Sequence, residues 1–164
     1  MKTIGIGLIG WGFMGRTHTH ALRDLALYYP DIDFRVRLVH VCSRRLEKAK
    51  EELEKLYGIK VLALPADISE GNDNESIAKE VVEKTIETFG RIDVLINNAQ
   101  ASASGVTIQE HTTEQFNLAM YSGLYATFYY MKACYLYLKE TKGSIINFAS
   151  GAGLFGNYGQ CSYA

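Results

Sequence analysis

Apolar residues along the chain follow two spacings, one typical of buried strands and one typical of amphipathic helices. Short runs of consecutive apolar or β-branched residues predict strands over residues 3–9, 34–42, 60–64, 93–97 and 144–148. Apolar residues that recur every three or four positions predict helices over residues 14–29, 46–57, 75–89 and 113–138. Strands without polar alternation, separated by helices, predict an α/β fold with a parallel sheet covered on both faces.

The alternation of strand and helix also restricts the topology. Right-handed crossovers predict a doubly wound parallel sheet of about five strands, which we expect in the order 3-2-1-4-5. In such a sheet the ligand binds at the carboxyl ends of the strands, where the strand order reverses. A chain of 164 residues suits one domain with one core, so we expect a single dinucleotide-binding domain over residues 1–164.

The first predicted strand runs into a glycine loop, GWGFMG, that fits the pattern G-x-G-x-x-G and opens a helix. Gly10 allows the tight turn, Gly12 lets the backbone approach a pyrophosphate, and Gly15 lets the helix pack close to the strand. The helix N-terminus then offers free N–H groups to the phosphates. This context predicts a Rossmann-like cofactor loop; the alternative is a tight turn without ligand. The expected cofactor-binding residues of the loop are Gly10, Trp11, Gly12, Phe13, Met14 and Gly15.

Cofactor choice depends on the residues at the end of the second strand. A site for NAD usually has Asp or Glu there, which accepts hydrogen bonds from the ribose. This chain has Ser43, Arg44 and Arg45 instead, and hydroxyl and guanidinium groups bind a 2′-phosphate well. The residues therefore favour NADP over NAD, although the two arginines could also be solvated residues at the start of a helix.

Charge and cysteine content exclude several other classes of protein. The net charge of −1 gives no reason to expect a nucleic-acid partner, and no apolar run is long enough to predict a membrane span. The N-terminus does not resemble a signal peptide, and Cys42, Cys134 and Cys161 lack metal or disulfide spacing. We expect a cytoplasmic protein with buried, inert thiols. No metal site is expected, since His18 and His20 point to different faces of a helix.

Residues 1 to about 60 resemble the start of the glucose-fructose oxidoreductase/inositol dehydrogenase/MocA family. The resemblance rests on IGLIGWGFMGRTHTHALRDL and on VRLVHVCSRRLEKAKEELEKLYGIKV. The Glu-Lys-Pro motif that would carry that family's catalytic lysine does not follow.

From about residue 61 the chain resembles the short-chain dehydrogenase/reductases. The segment FGRIDVLINNAQ is similar to the family's segment ending in Asn-Asn-Ala-Gly, with Gln100 in place of the glycine. The segment KGSIINFASGAGLFGNYGQCSYA is similar to the stretch that carries the family's catalytic serine and tyrosine. The resemblance implies Ser150 and Tyr163 as catalytic residues. It also implies a cofactor-binding role for Asp67, Ile68, Asn98 and Ala99. The alternatives are that Asp67 is a turn residue and that Asn98 satisfies backbone groups at the strand end.

The two resemblances together predict a chimera, recombined or designed, with a junction near residues 58–64; a natural outlier is the alternative. In the second family a lysine follows the tyrosine by four positions, which is position 167, beyond Ala164. The family's catalytic asparagine aligns with Gly123. From these departures we expect little or no turnover, since phenols titrate well above neutral pH unless a cation lies nearby.

The predicted helix Thr113–Leu138 is rich in aromatic residues, and the fifth strand is predicted to lie at an open edge. Either surface could form a homodimer, although an aromatic stripe is more often core. Three functions remain open. The first is an NADP(H)-binding hybrid, the second an NADP-dependent carbonyl/alcohol oxidoreductase, and the third a scaffold without ligand affinity.

Overall fold

The structure is a computed structural model that describes residues 2–9, 13–42, 46–58, 60–69, 71 and 73–164. Its strands are β1 (Lys2–Ile9), β2 (Phe34–Cys42), β3 (Leu62–Leu64), β4 (Val94–Asn97) and β5 (Ser144–Asn147). Its helices are α1 (Phe13–Arg23), α2 (Leu25–Tyr28), α3 (Leu46–Tyr57), α4 (Asn74–Phe89), α5 (Thr113–Ala119), α6 (Ala126–Thr141) and α7 (Gly151–Phe155). A π-helical turn, Met120–Tyr125, joins α5 to α6. The predicted α/β class is confirmed.

All the described strands belong to one parallel sheet, with the order β3-β2-β1-β4-β5. The chain proceeds from β1 outward to β3, and then returns to the other side of β1 to form β4 and β5. Because the crossovers are right-handed, the two directions place their helices on opposite faces of the sheet. The order reverses beside β1, which lies between β2 and β4. This is the place where a parallel α/β sheet leaves a crevice at its carboxyl edge.

The main core lies between β4, α4 and α6. Its buried residues are Leu64, Ala78, Val81, Val82, Ile92, Leu95, Tyr130, Cys134 and Leu138. The α4 residues in this cluster follow the predicted spacing. The helix is capped after Phe89 by Gly90, whose left-handed φ of 77° suits glycine. All four residues of β4 are buried, so this strand is covered on both faces.

Several boundaries differ from the predicted ones. The first predicted helix stops at Arg23, because Asp24 adopts φ −89° and ψ 5°, and only the short α2 follows. The predicted helix 113–138 contains a π-helical turn and continues to Thr141. Its N-cap is Thr112, which forms a capping box with Gln115 and so satisfies free N–H groups. Helix α7 was not predicted, since five residues are too few to show a helical repeat.

Burial corrects two expectations about side chains. Cys134 is buried as expected, but Cys161 is exposed, so the prediction of a buried thiol is wrong there; the side chain of Cys42 lies outside the described residues. Along the long helix, Tyr130 is buried in the core, whereas Tyr125, Phe128 and Tyr135 are exposed. The aromatic residues of this helix therefore serve both the core and the surface.

Candidate functional site

The register of the sheet brings the ends of all five strands to one edge. Ile9 at the end of β1 pairs with Cys42 of β2 and with Asn97 of β4. Cys42 in turn pairs with Leu64 of β3, and Asn97 with Asn147 of β5. The site residues predicted from the sequence follow these strands, at 10–15, 43–45, 67–68, 98–99 and 150. The fold therefore places the described segments among them, at 13–15, 67–68, 98–99 and 150, along the carboxyl edge.

The glycine loop is described only in part. Gly10, Trp11 and Gly12 lie outside the described residues, as do Ser43, Arg44 and Arg45. Phe13, Met14 and Gly15 form the first turn of α1, and Gly15 is buried. Its carbonyl accepts a hydrogen bond from the buried Thr19 hydroxyl at 2.9 Å, and α1 has no acidic residue in its first turn. Nothing in that turn repels an anion at the N-terminus of α1.

The segment after β4 is fixed by side chains. Asn97 Nδ2 donates to Asn147 Oδ1 at 2.8 Å and so joins the ends of β4 and β5. Asn98 and Ala99 are half-buried. The buried Ser122 hydroxyl accepts from the Ala101 N–H at 2.9 Å, and the same oxygen lies 2.9 Å from the Ala101 carbonyl and 2.7 Å from that of Leu118. The loop is thereby held against the π-helical turn.

Asp67 follows β3 and organises its own loop. Its Oδ1 accepts from both the Ser69 N–H at 2.9 Å and the Ser69 hydroxyl at 2.6 Å. The side chain is exposed, whereas Ile68 packs against the core. The carboxylate is thus held by Ser69 at the edge of the sheet, and the alternative role as a turn residue is compatible with the same contacts.

Ser150 is the N-cap of α7, and its Oγ accepts from the Ala152 N–H at 3.2 Å. A hydroxyl has one proton and two lone pairs, so this contact leaves the proton for another acceptor. Tyr163 is half-buried and lies in a turn where its N–H donates to the Gln160 carbonyl at 3.0 Å.

The turn around Tyr163 is attached to the loop that follows β4. Gly105 N–H donates to the Gly159 carbonyl at 2.8 Å, and Gln160 Nε2 donates to the Ser104 hydroxyl at 3.3 Å. An ideal Cβ on Gly159 would lie 2.8 Å from Gly105 Cα, so only glycine permits this approach. The segments of Tyr163 and of Asn98 and Ala99 are therefore held together by both backbone and side-chain contacts.

Three structural residues of this region were not predicted from the sequence: Asn74, Ser122 and Gly123. Asn74 is buried and donates through Nδ2 to the carbonyls of Ile68, at 3.2 Å, and Tyr121, at 3.0 Å. It ties the Asp67 loop to the π-helical turn. A buried polar residue cannot be told from an exposed one by its type alone, so sequence carried no signal for Asn74 or Ser122. Gly123 carried one, because glycine is unfavourable inside a helix.

Electrostatic and aromatic contacts complete the region. The His18 ring on α1 contacts the Phe148 ring beyond β5, with centroids 3.9 Å apart. Burial raises the pKa of the Cys134 thiol to about 12, so this group is not a nucleophile of the site.

Within the described part of the chain, no three His, Cys, Asp or Glu side chains are grouped to hold a metal ion. No described helix is both long and apolar enough to cross a membrane.

The family model described as short chain dehydrogenase matches residues 23–164. A 12α-hydroxysteroid dehydrogenase from Clostridium sp. is 66% identical over 122 residues, which are 74% of this chain and 47% of that protein. An uncharacterized oxidoreductase from Thermotoga maritima is 35% identical over 121 residues, 72% of this chain and 45% of that protein. The chain thus spans about half the length of these curated relatives.

Solved structures with similar folds contain dinucleotides. An NAD⁺-bound xylitol dehydrogenase has a TM-score of 0.74 and 22% identity, covering 99% of this chain and 58% of the other. ElxO with NADP bound has a TM-score of 0.69 and 27% identity, covering 99% of this chain and 61% of the other. The similarity to the xylitol dehydrogenase shows only a shared fold. One of these two structures contains NAD⁺ and the other NADP.

These findings support one of the two resemblances predicted from the sequence. The family match already covers residues 23–60, which were expected to belong to the glucose-fructose oxidoreductase-like part. A junction near residues 58–64 therefore has no support, and neither has a recombined or designed origin. The ordered motifs, the parallel sheet and the match over residues 23–164 show that this chain belongs to the short-chain dehydrogenase family.

Proposed function

We propose that this chain, as a single dinucleotide-binding domain, carries the cofactor site and the reacting hydroxyls of an NADP(H)-dependent alcohol/carbonyl oxidoreductase. The proposed substrate class is the hydroxysteroids. The observation that carries the proposal is the 66% identity with a 12α-hydroxysteroid dehydrogenase over 74% of this chain. The hybrid with little or no turnover, which was expected from the sequence, has no support from the comparisons.

The residues at the carboxyl edge are compatible with a dinucleotide. The first turn of α1 carries no carboxylate that would repel a pyrophosphate, and α1 follows the central strand β1. Ser43, Arg44 and Arg45 would receive the 2′-phosphate after β2, which is why we propose NADP rather than NAD. Asp67 and Ile68 would border the adenine, and Asn98 and Ala99 the ribose and pyrophosphate.

The proposed chemistry divides between the cofactor and two hydroxyls. A bound nicotinamide would supply or accept the hydride. The Ser150 hydroxyl, whose contact with the Ala152 N–H uses only a lone pair of Oγ, would donate a hydrogen bond to the substrate oxygen and orient it. The Tyr163 phenol would give a proton to that oxygen when a carbonyl is reduced, and take it back when an alcohol is oxidised.

The first test is a titration with NADPH and, separately, with NADH, followed by the fluorescence of Trp11, the chain's only tryptophan. We expect tight, saturable quenching by NADPH and weaker quenching by NADH, because the 2′-phosphate meets two guanidinium groups. A chain that unfolds cooperatively but shows no saturable quenching with either cofactor would instead be a scaffold without ligand affinity.

Turnover is tested with a 12α-hydroxysteroid and NADP⁺. Tyr163→Phe should lower kcat by roughly 100-fold or more, since it removes the proposed proton donor and acceptor. Tyr158→Phe is the matched control, because Tyr158 lies in the same segment and is 85% exposed. If Tyr163→Phe keeps the parent rate, the proposed role of the phenol is wrong.

The oligomeric state stays a prediction. The long helix exposes apolar side chains over its α5, π-helical and α6 parts, namely Phe116, Leu124, Tyr125, Phe128, Tyr135 and Leu136. These residues, or the edge of β5, would form the homodimer proposed from the sequence.

A further inference from the structure

Gln100 and Gly123 are in direct contact. The loop after β4 turns the Gln100 side chain onto the π-helical turn at Gly123. An ideal Cβ on Gly123 would lie 2.8 Å from Gln100 Nε2, 3.1 Å from Cδ and 3.4 Å from Cγ. Any side chain at position 123 would therefore displace the Gln100 carboxamide. By the resemblance noted in the sequence, the family would have glycine and asparagine at these two positions.

The surroundings fix this contact from both sides. Ala101, next to Gln100, is bound through its N–H to the hydroxyl of Ser122, which precedes Gly123. The helical side is irregular here, since the Ala126 N–H donates to the Tyr121 carbonyl across five residues. Asn74 holds the same Tyr121 carbonyl from the other side. The loop and the turn are thus joined independently of the Gln100–Gly123 contact, which leaves the carboxamide free to serve another purpose.

The register shows which part of a dinucleotide Gln100 would meet. Asn97 pairs with Asn147, so Gln100 and Ser150 each lie three residues beyond a paired position on adjacent strands. Both strands lie on the side of β1 away from β2 and β3. A dinucleotide that crosses the sheet at β1, with its 2′-phosphate at the end of β2, places its nicotinamide half over β4 and β5.

We propose that the Gln100 carboxamide is a hydrogen-bonding group for the nicotinamide half of the cofactor, and that Gly123 is small in order to admit it. This assignment rests on the proposed function. The amide comes from the loop rather than from the helix, yet reaches nearly the point that a side chain on residue 123 would fill. Moving the amide from position 100 to position 123 should therefore preserve its effect.

The test is calorimetric titration of the full chain with NADPH and with adenosine 2′,5′-bisphosphate, which lacks the nicotinamide half. Gln100→Met keeps the volume and removes the amide, and Gly123→Ala displaces it. Each variant should raise the Kd for NADPH about 5-fold, the effect of one hydrogen bond, and leave the Kd for the bisphosphate unchanged. Because both variants remove the same interaction, the double variant should be no worse than either. Gln100→Gly/Gly123→Asn should return to within about twofold of the parent.

Gln109→Met is the matched control, because it makes the same change at an exposed position of the same loop. Thermal unfolding of each variant separates lost folding from lost contact. The assignment is overturned if Gln100→Met binds NADPH as the parent does, or if NADPH and the bisphosphate weaken equally. If the parent chain shows saturable binding of neither NADPH nor the bisphosphate, the proposed function itself fails, and the role of Gln100 fails with it.

Discussion

Strands β4 and β5 are neighbours with the same length, the same direction and a one-to-one register, yet their burial is opposite. Every residue of β4 is buried, and every residue of β5 is exposed. The pair Ile96 and Ile146 shows the contrast most directly, because the same side chain is 2% exposed in β4 and 42% exposed in β5.

The difference separates the backbone pairing of a strand from the burial of its side chains, two properties that usually occur together in a buried parallel sheet. β4 is paired on both sides, with β1 and β5, whereas β5 is paired only with β4 in the described sheet; backbone pairing joins strand edges, however, and does not cover their faces. What distinguishes β4 is the cover from α4 and α6, whose core residues pack around Leu95. A run of apolar residues therefore predicts that a strand forms, but the layers around that strand determine how much stability each side chain contributes.

The strongest way to test this contrast is to shorten the paired isoleucines. Ile96→Ala should lower the free energy of unfolding by about 3 kcal/mol, because it leaves a cavity in a covered layer. Ile146→Ala removes the same atoms from an exposed position and should cost less than about 1 kcal/mol. Urea unfolding of both variants measures the difference. Equal losses would mean that β5 is covered in solution, contrary to the structure.

A second way is to disturb the point where β5 begins beside β4. A Cβ on Gly143 would collide with the Asp93 carbonyl oxygen and would lie 2.7 Å from Leu138 Cδ2. Since a backbone atom cannot move aside, Gly143→Ala should destabilise the chain by about 2 kcal/mol.

Gly151→Ala is the control for that substitution, because the nearest atom to its Cβ is Phe155 Cδ2 at 3.9 Å. It should change the stability by no more than about 0.5 kcal/mol. A Gly143→Ala variant as stable as the parent would show that β5 can separate from β4 without loss.

The sequence predicted the α/β class because the two apolar spacings are local properties of each element. It also predicted that the glycine loop follows the first strand and that the Ser150 and Tyr163 segments both follow the fifth, because strand ends are marked by Gly, Asn and Ser. It predicted an open edge at the fifth strand, but not that all four residues of β5 are exposed, nor that Cys161 is. Both depend on which helices and strands pack against a residue. The sequence of β5, SIIN, is similar in pattern to that of β4, VLIN, so the strand sequence alone does not distinguish their burial.

Contacts between segments that are distant in the chain could not be predicted from the sequence either. Asn74 and Ser122 are buried through bonds to Tyr121 and Ala101, and a single polar residue gives no sign of such a partner. Gln100 and Gly123 were visible only as two separate departures from a family pattern. Their relation became clear when the structure placed one against the other, 23 positions apart in the chain.

The smallest perturbation is chemical labelling of the folded chain, which compares the reactivity of one thiol near β4 with that of one thiol beyond β5. Cys134 lies on α6 in the core beside β4, and burial raises its pKa to about 12; Cys161 is exposed beyond β5. Because only a thiolate attacks an aromatic disulfide reagent, Cys161 should react within minutes at pH 8, whereas Cys134 should react only when the core opens. Peptide mass spectrometry identifies the labelled thiol, and Cys161→Ser should abolish that rapid label. Urea should then expose Cys134 in parallel with unfolding, since its raised pKa reflects the core and not a local charge. Rapid labelling of Cys134 in the folded chain would show instead that the layer covering β4 opens as readily as the surface of β5.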